Sequence, residues 1–137
     1  MSFQFKKGIY FYWLGLTIFS LSLAITSFVL GRIYDSFGFY IPVIILAVLS
    51  IYSLFRAFKY KNQHLIFNED GMDAFVVTSR GALPTKIRVP LTHVAGAEFK
   101  RSVLILINYQ GQRLSVYNIV DAEKASIDIN NFLQNHR

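Results

Sequence analysis

The sequence predicts a membrane protein in which an α-helical transmembrane hairpin is followed by a small α+β domain. Two long apolar runs occupy the first part of the chain, and after residue 61 short apolar segments alternate with turns before an amphipathic helical pattern closes the chain. We expect the second part to form an antiparallel bent sheet or open barrel capped by a C-terminal helix. The predicted hairpin covers residues 1–61 and the predicted domain covers residues 62–137.

The two apolar runs are long enough to cross a bilayer. Residues 8–31 and 36–55 contain no Asp, Glu, Lys, Arg or His. A helix rises about 1.5 Å per residue, so these runs reach about 36 Å and about 30 Å, against a hydrocarbon core of about 30 Å. A helix also satisfies every backbone group where no water is present. We therefore predict spans at about residues 8–30 and 39–58.

Basic and aromatic residues at the span ends predict the orientation. Only Arg32 and Asp35 carry charge in the turn between the spans. Lysine and arginine accumulate on the cytoplasmic side of membrane proteins, so both termini are expected in the cytoplasm. The predicted interface anchors are Lys6, Lys7, Trp13, Arg56, Lys59 and Lys61. Residues 1–7 are expected to form a short basic amphipathic lead along the inner membrane surface.

The positive charge of the chain belongs to its membrane part. The formal net charge is +6, with six basic and one acidic residue in residues 1–61, against eight basic and seven acidic in residues 62–137. This distribution predicts attraction to anionic membrane lipids and no nucleic-acid-binding face. The partners expected are membrane lipids and another membrane or membrane-associated protein.

The residue types for catalysis or metal binding are missing or scattered. The chain has no cysteine, which excludes disulfides and thiolate chemistry. Its three histidines are far apart, and the acidic residues around Asp70 lack the twelve-residue pattern of a calcium loop. No nucleophile elbow, phosphate loop or HExxH motif is present. We therefore predict no enzyme activity, no cofactor and no metal site.

Small residues in the first span allow two interpretations of how this helix packs. Ser20 and Ala24 are four residues apart, as are Ser22 and Thr26, a spacing that brings a neighbouring helix close. A homo-oligomer through the spans is one interpretation, and hydroxyls bonded to their own helix are the other. The absence of ionisable residues within the spans argues against a transporter or channel built from one copy.

Six short strands and one helix are predicted after residue 61. The first strand lies around Ile66, and the others cover about residues 72–78, 85–89, 93–100, 103–109 and 112–118. Gly96 inside a strand predicts a bulge. Asp121 is a good N-cap, and the apolar residues that follow it recur at helical spacing.

Two stretches of this domain resemble a known family. Residues 65–72 read LIFNEDGM and residues 87–94 read IRVPLTHV, ahead of the terminal helix. With the two spans and the basic exit, they resemble bacterial membrane proteins that carry a pleckstrin-homology-like (PH-like) domain. The resemblance covers about residues 64–137 and implies a binding or scaffolding module without catalytic residues. The family has seven strands and a helix, so the resemblance implies that one strand or hairpin is reduced here.

Three basic residues are the candidate contacts for a lipid headgroup or a protein partner: Arg80, Lys86 and Arg88. They lie around the predicted turn at residues 81–85, and PH domains bind phosphorylated headgroups from such a turn. We expect a non-enzymatic inner-membrane protein that presents a PH-like domain to the cytosol for protein or lipid contact. An immunity protein against a toxin and a small subunit of a membrane complex are the alternatives.

Overall fold

The computed structural model describes residues 1–136 and divides the chain into two compact units. One unit is a helical hairpin, Lys7–Lys61, and the other is a sheet domain that combines Met1–Lys6 with the chain from Asn62 onward. The predicted hairpin of residues 1–61 ends at the same residue as this unit, whereas residues 1–6 belong to the sheet domain. Their backbone pairs with strands of the sheet domain.

The hairpin consists of two helices joined by a short turn. Helix α1 covers Gly8–Tyr34, a 3₁₀ turn covers Phe37–Phe39, and α2 covers Tyr40–Lys61. Asp35 ends α1 in the left-handed conformation, at φ 50°. Both helices are long and apolar enough to cross a membrane, and only 17% and 11% of their apolar windows are buried. The two predicted apolar helices are confirmed, and they lack the burial that a core helix of a globular domain would have.

Small residues line the contact between α1 and α2. The buried residues of α1 are Ser20, Ala24 and Gly31, and those of α2 are Ser50, Ser53, Ala57 and Tyr60. A methyl group added to Gly31 would lie 3.2 Å from atoms of Phe39 and Tyr40. The Ser20 hydroxyl donates to the Leu16 carbonyl of its own helix. The predicted Ser20 and Ala24 pair is therefore buried within the hairpin.

The sheet domain contains two antiparallel three-stranded sheets and one helix. The first sheet has the order β1 (His64–Asn68), β2 (Gly71–Val76), β3 (Thr85–Pro90). The second has the order β4 (Val94–Lys100), β5 (Val103–Asn108), β6 (Arg113–Val116), followed by α3 (Ala122–Asn135). The six predicted strands and the terminal helix are confirmed. The predicted bulge is also present, as a register shift between Val94 and Gly96.

The core of the domain lies between the two sheets and α3. Alternate residues of β1 and β2 point into it, as do four apolar residues of α3 at helical spacing. The largest fully buried side chains are Phe67, Leu65, Met72, Leu104, Ile119 and Ile129. Helix α3 begins where the Asp121 carboxylate accepts a hydrogen bond from the Lys124 N–H at 3.1 Å. The predicted N-cap is thereby confirmed.

The side chain of Asn130 joins α3 to β4. Its Oδ1 accepts from the Ala97 N–H at 2.9 Å, and its Nδ2 donates to the Ala97 carbonyl at 2.8 Å. One amide side chain therefore completes both backbone bonds of Ala97 on the outer edge of β4. These two bonds cover the free edge of β4 next to the bulge, where its backbone groups would otherwise lack partners.

The N-terminal segment Met1–Lys6 bonds to β1 on one side and to residues 118–120, which follow β6, on the other. On one side, the Phe3 N–H donates to the Leu65 carbonyl at 3.3 Å, and the Met1 carbonyl accepts from the Phe67 N–H at 2.9 Å. On its other side the backbone of Gln4 and Lys6 bonds to residues 118–120 at 3.0 and 2.6 Å. The expectation of an amphipathic lead along the membrane was wrong, because Phe3 and Phe5 alternate with polar residues and pack on the core.

Candidate interaction surface

The outer face of the first sheet carries the candidate basic residues. Pairing across the sheet places His64, Phe75 and Lys86 in one row and Ile66, Asp73 and Arg88 in the next. Cross-strand partners share a face, and the alternate residues of these strands point into the core. The six residues therefore form one exposed or half-exposed surface, which we call the outer face.

Lys86 and Arg88 lie two residues apart on β3 and point to the same side. Arg80 lies instead in the loop between β2 and β3, next to Gly81, whose φ is +78°. The Ala82 N–H donates to the Ser79 carbonyl at 3.1 Å and closes this turn. The structure thus brings two of the three predicted contact residues onto one strand and leaves the third in the preceding loop.

Arg88 has one acidic neighbour on the outer face. Its Nη2 lies 3.7 Å from Asp73 Oδ2, and the two side chains are 75% and 37% exposed. An exposed pair at this distance contributes about 0–1 kcal/mol, so it holds Arg88 only weakly. Lys86 is opposite Phe75, whose ring stacks with the His64 ring at 6.3 Å between centroids. Both cations are accessible to a partner.

The predicted interface anchors of the hairpin form cation–π contacts. The Arg56 guanidinium lies 4.5 Å from the Trp13 ring centroid and donates to the Tyr52 and Tyr60 hydroxyls at 2.9 and 3.1 Å. Lys61 Nζ lies 5.9 Å from the Tyr10 ring centroid. These contacts tie the start of α1 to the end of α2, a pairing that the sequence analysis did not predict.

The remaining anchors have different surroundings. Lys59 Nζ lies 5.3 Å from the ring centroid of Phe55 on its own helix. Lys7 occupies the N-cap position of α1 without a side-chain capping bond. Lys6 belongs to the N-terminal segment of the sheet domain, where its N–H is bonded to the Asn118 carbonyl. Of the predicted anchors, Lys7, Trp13, Arg56, Lys59 and Lys61 therefore lie in the hairpin unit, and Lys6 lies in the N-terminal segment of the sheet domain.

An apolar groove borders the inner side of β3. It has a volume of about 320 Å³ and lies between the two sheets, where Val89, Leu106 and Leu114 contribute to its lining. Sequence reasoning missed this groove because residues of five separate strands line it. Among residues 1–136, no three His, Asp or Glu side chains are grouped as ligands for a metal ion.

Comparisons of the chain with protein family models, with curated protein sequences and with solved structures found no match. The function is therefore inferred from the geometry of the two units themselves.

Proposed function

We propose that this chain is a non-enzymatic bacterial inner-membrane protein that presents a PH-like binding domain at the cytosolic membrane surface. The observation that carries the proposal is the place of the hairpin in the chain. Two exposed apolar helices stand between the first and second extended segments of a single sheet domain. Anchoring of this kind gives a binding domain a high local concentration beside membrane partners.

The surface of the hairpin supports residence in a bilayer. Large apolar side chains along both helices are more than half exposed, among them Phe19, Ile25, Ile44 and Ile51. Contiguous apolar surface of this extent is rare on proteins that are stable in water and is normal where lipid is the solvent. Small residues fill the helix contact, so the outer surface of the hairpin keeps the large side chains for lipid.

The pairing of Met1–Lys6 supports the proposed topology. Because this segment and the chain after α2 fold into one unit, both ends of the hairpin belong on the same side of a membrane. Two spans satisfy that requirement, and the basic residues at these ends favour the cytoplasm. The two connections are short, since Lys7 alone separates the N-terminal segment from α1 and two residues separate α2 from β1.

The strand count supports the PH-like assignment. The N-terminal segment adds a fourth extended element to the first sheet, the second sheet has three strands, and α3 follows them. That total equals the seven strands and one helix implied by the family resemblance. We propose that the strand missing from residues 62–137 is supplied by Met1–Lys6, with the hairpin inserted after it.

The structure gives less support to the alternative of a complex subunit held through its spans. That alternative requires small residues on the outer surface of the hairpin, whereas Ser20 and Ala24 are buried in the contact between α1 and α2. Ser22 and Thr26 remain on the exposed side, and their hydroxyls bond to carbonyls of their own helix at 2.8 and 2.9 Å. Bonding of this kind satisfies each hydroxyl without a neighbouring helix.

Two reporters fused after Arg137 test the proposed topology. A fluorescent protein that folds only in the cytoplasm should glow, and an alkaline phosphatase that is active only after export should be inactive. The protein should also stay in the membrane fraction after an alkaline carbonate wash. An active phosphatase, or release by carbonate, would show that the proposed location is wrong.

A further inference from the structure

Strand β3 forms an open edge of the first sheet. It pairs with β2 on one side, and no backbone group among residues 1–136 bonds to its other side. A methyl group added to Gly71 of β2 would collide with the Val89 carbonyl oxygen, so that carbonyl points towards β2. Backbone groups alternate direction along a strand. The N–H and C=O groups of Lys86 and Arg88 therefore point away from the sheet.

The two faces of this edge differ in chemistry. On the outer face stand the side chains of Lys86 and Arg88, and on the inner face stand Ile87 and Val89, both half-buried. Val89 also lines the apolar groove between the sheets. A strand added along β3 would place alternate side chains beside the two cations and above the groove.

The positive charges of Lys86 and Arg88 favour one class of partner for this edge. If two copies of β3 paired in antiparallel fashion about Ile87, Lys86 of one copy would face Arg88 of the other, and like charges at opposed positions repel. A second copy of this chain is therefore a poor partner. An extended segment with acidic residues at alternate positions would place a carboxylate near each cation, since the weak Asp73 contact leaves both accessible.

We infer that the free edge of β3 binds an extended acidic segment of a partner protein by strand addition, with the intervening apolar residues over the groove. Main-chain hydrogen bonds would supply the affinity, and the alternation of acidic and apolar side chains would supply the specificity. The inference rests on the proposed function, because it identifies the class of partner that the membrane-held domain would bind.

The test uses the full chain, isotopically labelled, in nanodiscs of uncharged lipid. The probe is a ten-residue peptide in which glutamate and valine alternate, and a lysine and valine peptide is its charge control. A third peptide repeats the glutamate sequence with methyl groups on alternate backbone nitrogens. We expect the first peptide to slow amide exchange at Lys86 and Arg88 by roughly tenfold or more at saturation, and the other two to have no such effect.

Charge reversal supplies the matched variants. Lys86→Glu combined with Arg88→Glu should weaken binding of the glutamate peptide by roughly tenfold and create binding of the lysine peptide. Lys100→Glu, at an exposed position on the other sheet, should change neither. Should the double variant fail to fold, Lys86→Glu alone retains the Asp73 contact of Arg88 and should shift binding in the same direction.

Several outcomes would overturn the inference. Equal binding of the methylated peptide would show a charge contact without strand addition. Absence of glutamate peptide binding would mean that the edge cations serve only to keep copies apart. A response of the same amides to anionic lipid vesicles, but not to the peptide, would assign the site to a lipid surface. None of these results would alter the membrane location, which the reporters measure separately.

Discussion

Replacing Phe5 by alanine tests whether the N-terminal segment is part of the sheet domain. Phe5 pairs with Ile119 and packs on the core while remaining partly exposed. Removing a fully buried phenylalanine costs about 3–5 kcal/mol, so a half-buried one should cost about 2 kcal/mol. A small domain has roughly 5–15 kcal/mol of stability in total, so this loss should be readily measurable.

The assay is amide hydrogen exchange on the full chain in nanodiscs. The N–H groups of Phe67 and Val120 donate to carbonyls of Met1 and Gln4, so they report on the docked segment from both sides. A loss of about 2 kcal/mol corresponds to roughly 30-fold faster exchange where exchange follows opening of the segment.

Gln4→Ala is the matched control for Phe5→Ala. Gln4 is exposed, and its carbonyl, which makes the bond to Val120, is kept by alanine. This variant should change exchange by less than about threefold, in line with surface substitutions of about 0.5 kcal/mol. If Phe5→Ala left the amides of Phe67 and Val120 unchanged, the segment would not be a strand of the domain in solution.

Two further substitutions test single contacts within the sheet domain. Gly71→Ala should lower the free energy of unfolding by more than about 2 kcal/mol, because φ is +141° and a methyl group would meet backbone atoms. Its control is Gly81→Ala, where φ is also positive but the space is open, and the expected loss is about 1 kcal/mol. Asn130→Ala should lower the free energy of unfolding by about 1–3 kcal/mol, because it leaves both backbone groups of Ala97 without their side-chain partner. Its control is Asn131→Ala at an exposed position, which should leave the free energy of unfolding nearly unchanged. Chemical denaturation followed by circular dichroism of the full chain in detergent measures all four.

Features with local causes could be predicted from the sequence. The two long helices follow from uninterrupted apolar composition, and α3 follows from the capping residue Asp121 and a helical period. The hairpin of β5 and β6 follows from alternation on either side of a short turn. Lys86 and Arg88 share a face because strand residues two apart always do.

Features that depend on distant pairing could not be predicted. Phe3 bonds to Leu65 and Phe5 pairs with Ile119, at separations of about 60 and about 115 residues, and six residues carry too short a pattern to reveal such contacts. A lysine at position 6 does not discriminate between the two placements, because it is compatible with a membrane surface and with an extended segment of the sheet domain. The apolar groove likewise requires the relative placement of two sheets, which periodicity within one strand does not encode.

The insertion of the hairpin after the first strand has a consequence for the order of folding during synthesis. Met1–Lys6 leaves the ribosome well before its bonding partners at residues 118–120. Once α1 and α2 associate, the contact of Lys61 with Tyr10 brings the two ends of the hairpin together. This contact shortens the effective loop between the N-terminal segment and β1 from about 60 residues to about six. The entropic free-energy cost of closing that loop falls by about 2 kcal/mol. Association of α1 and α2 therefore promotes completion of the sheet domain.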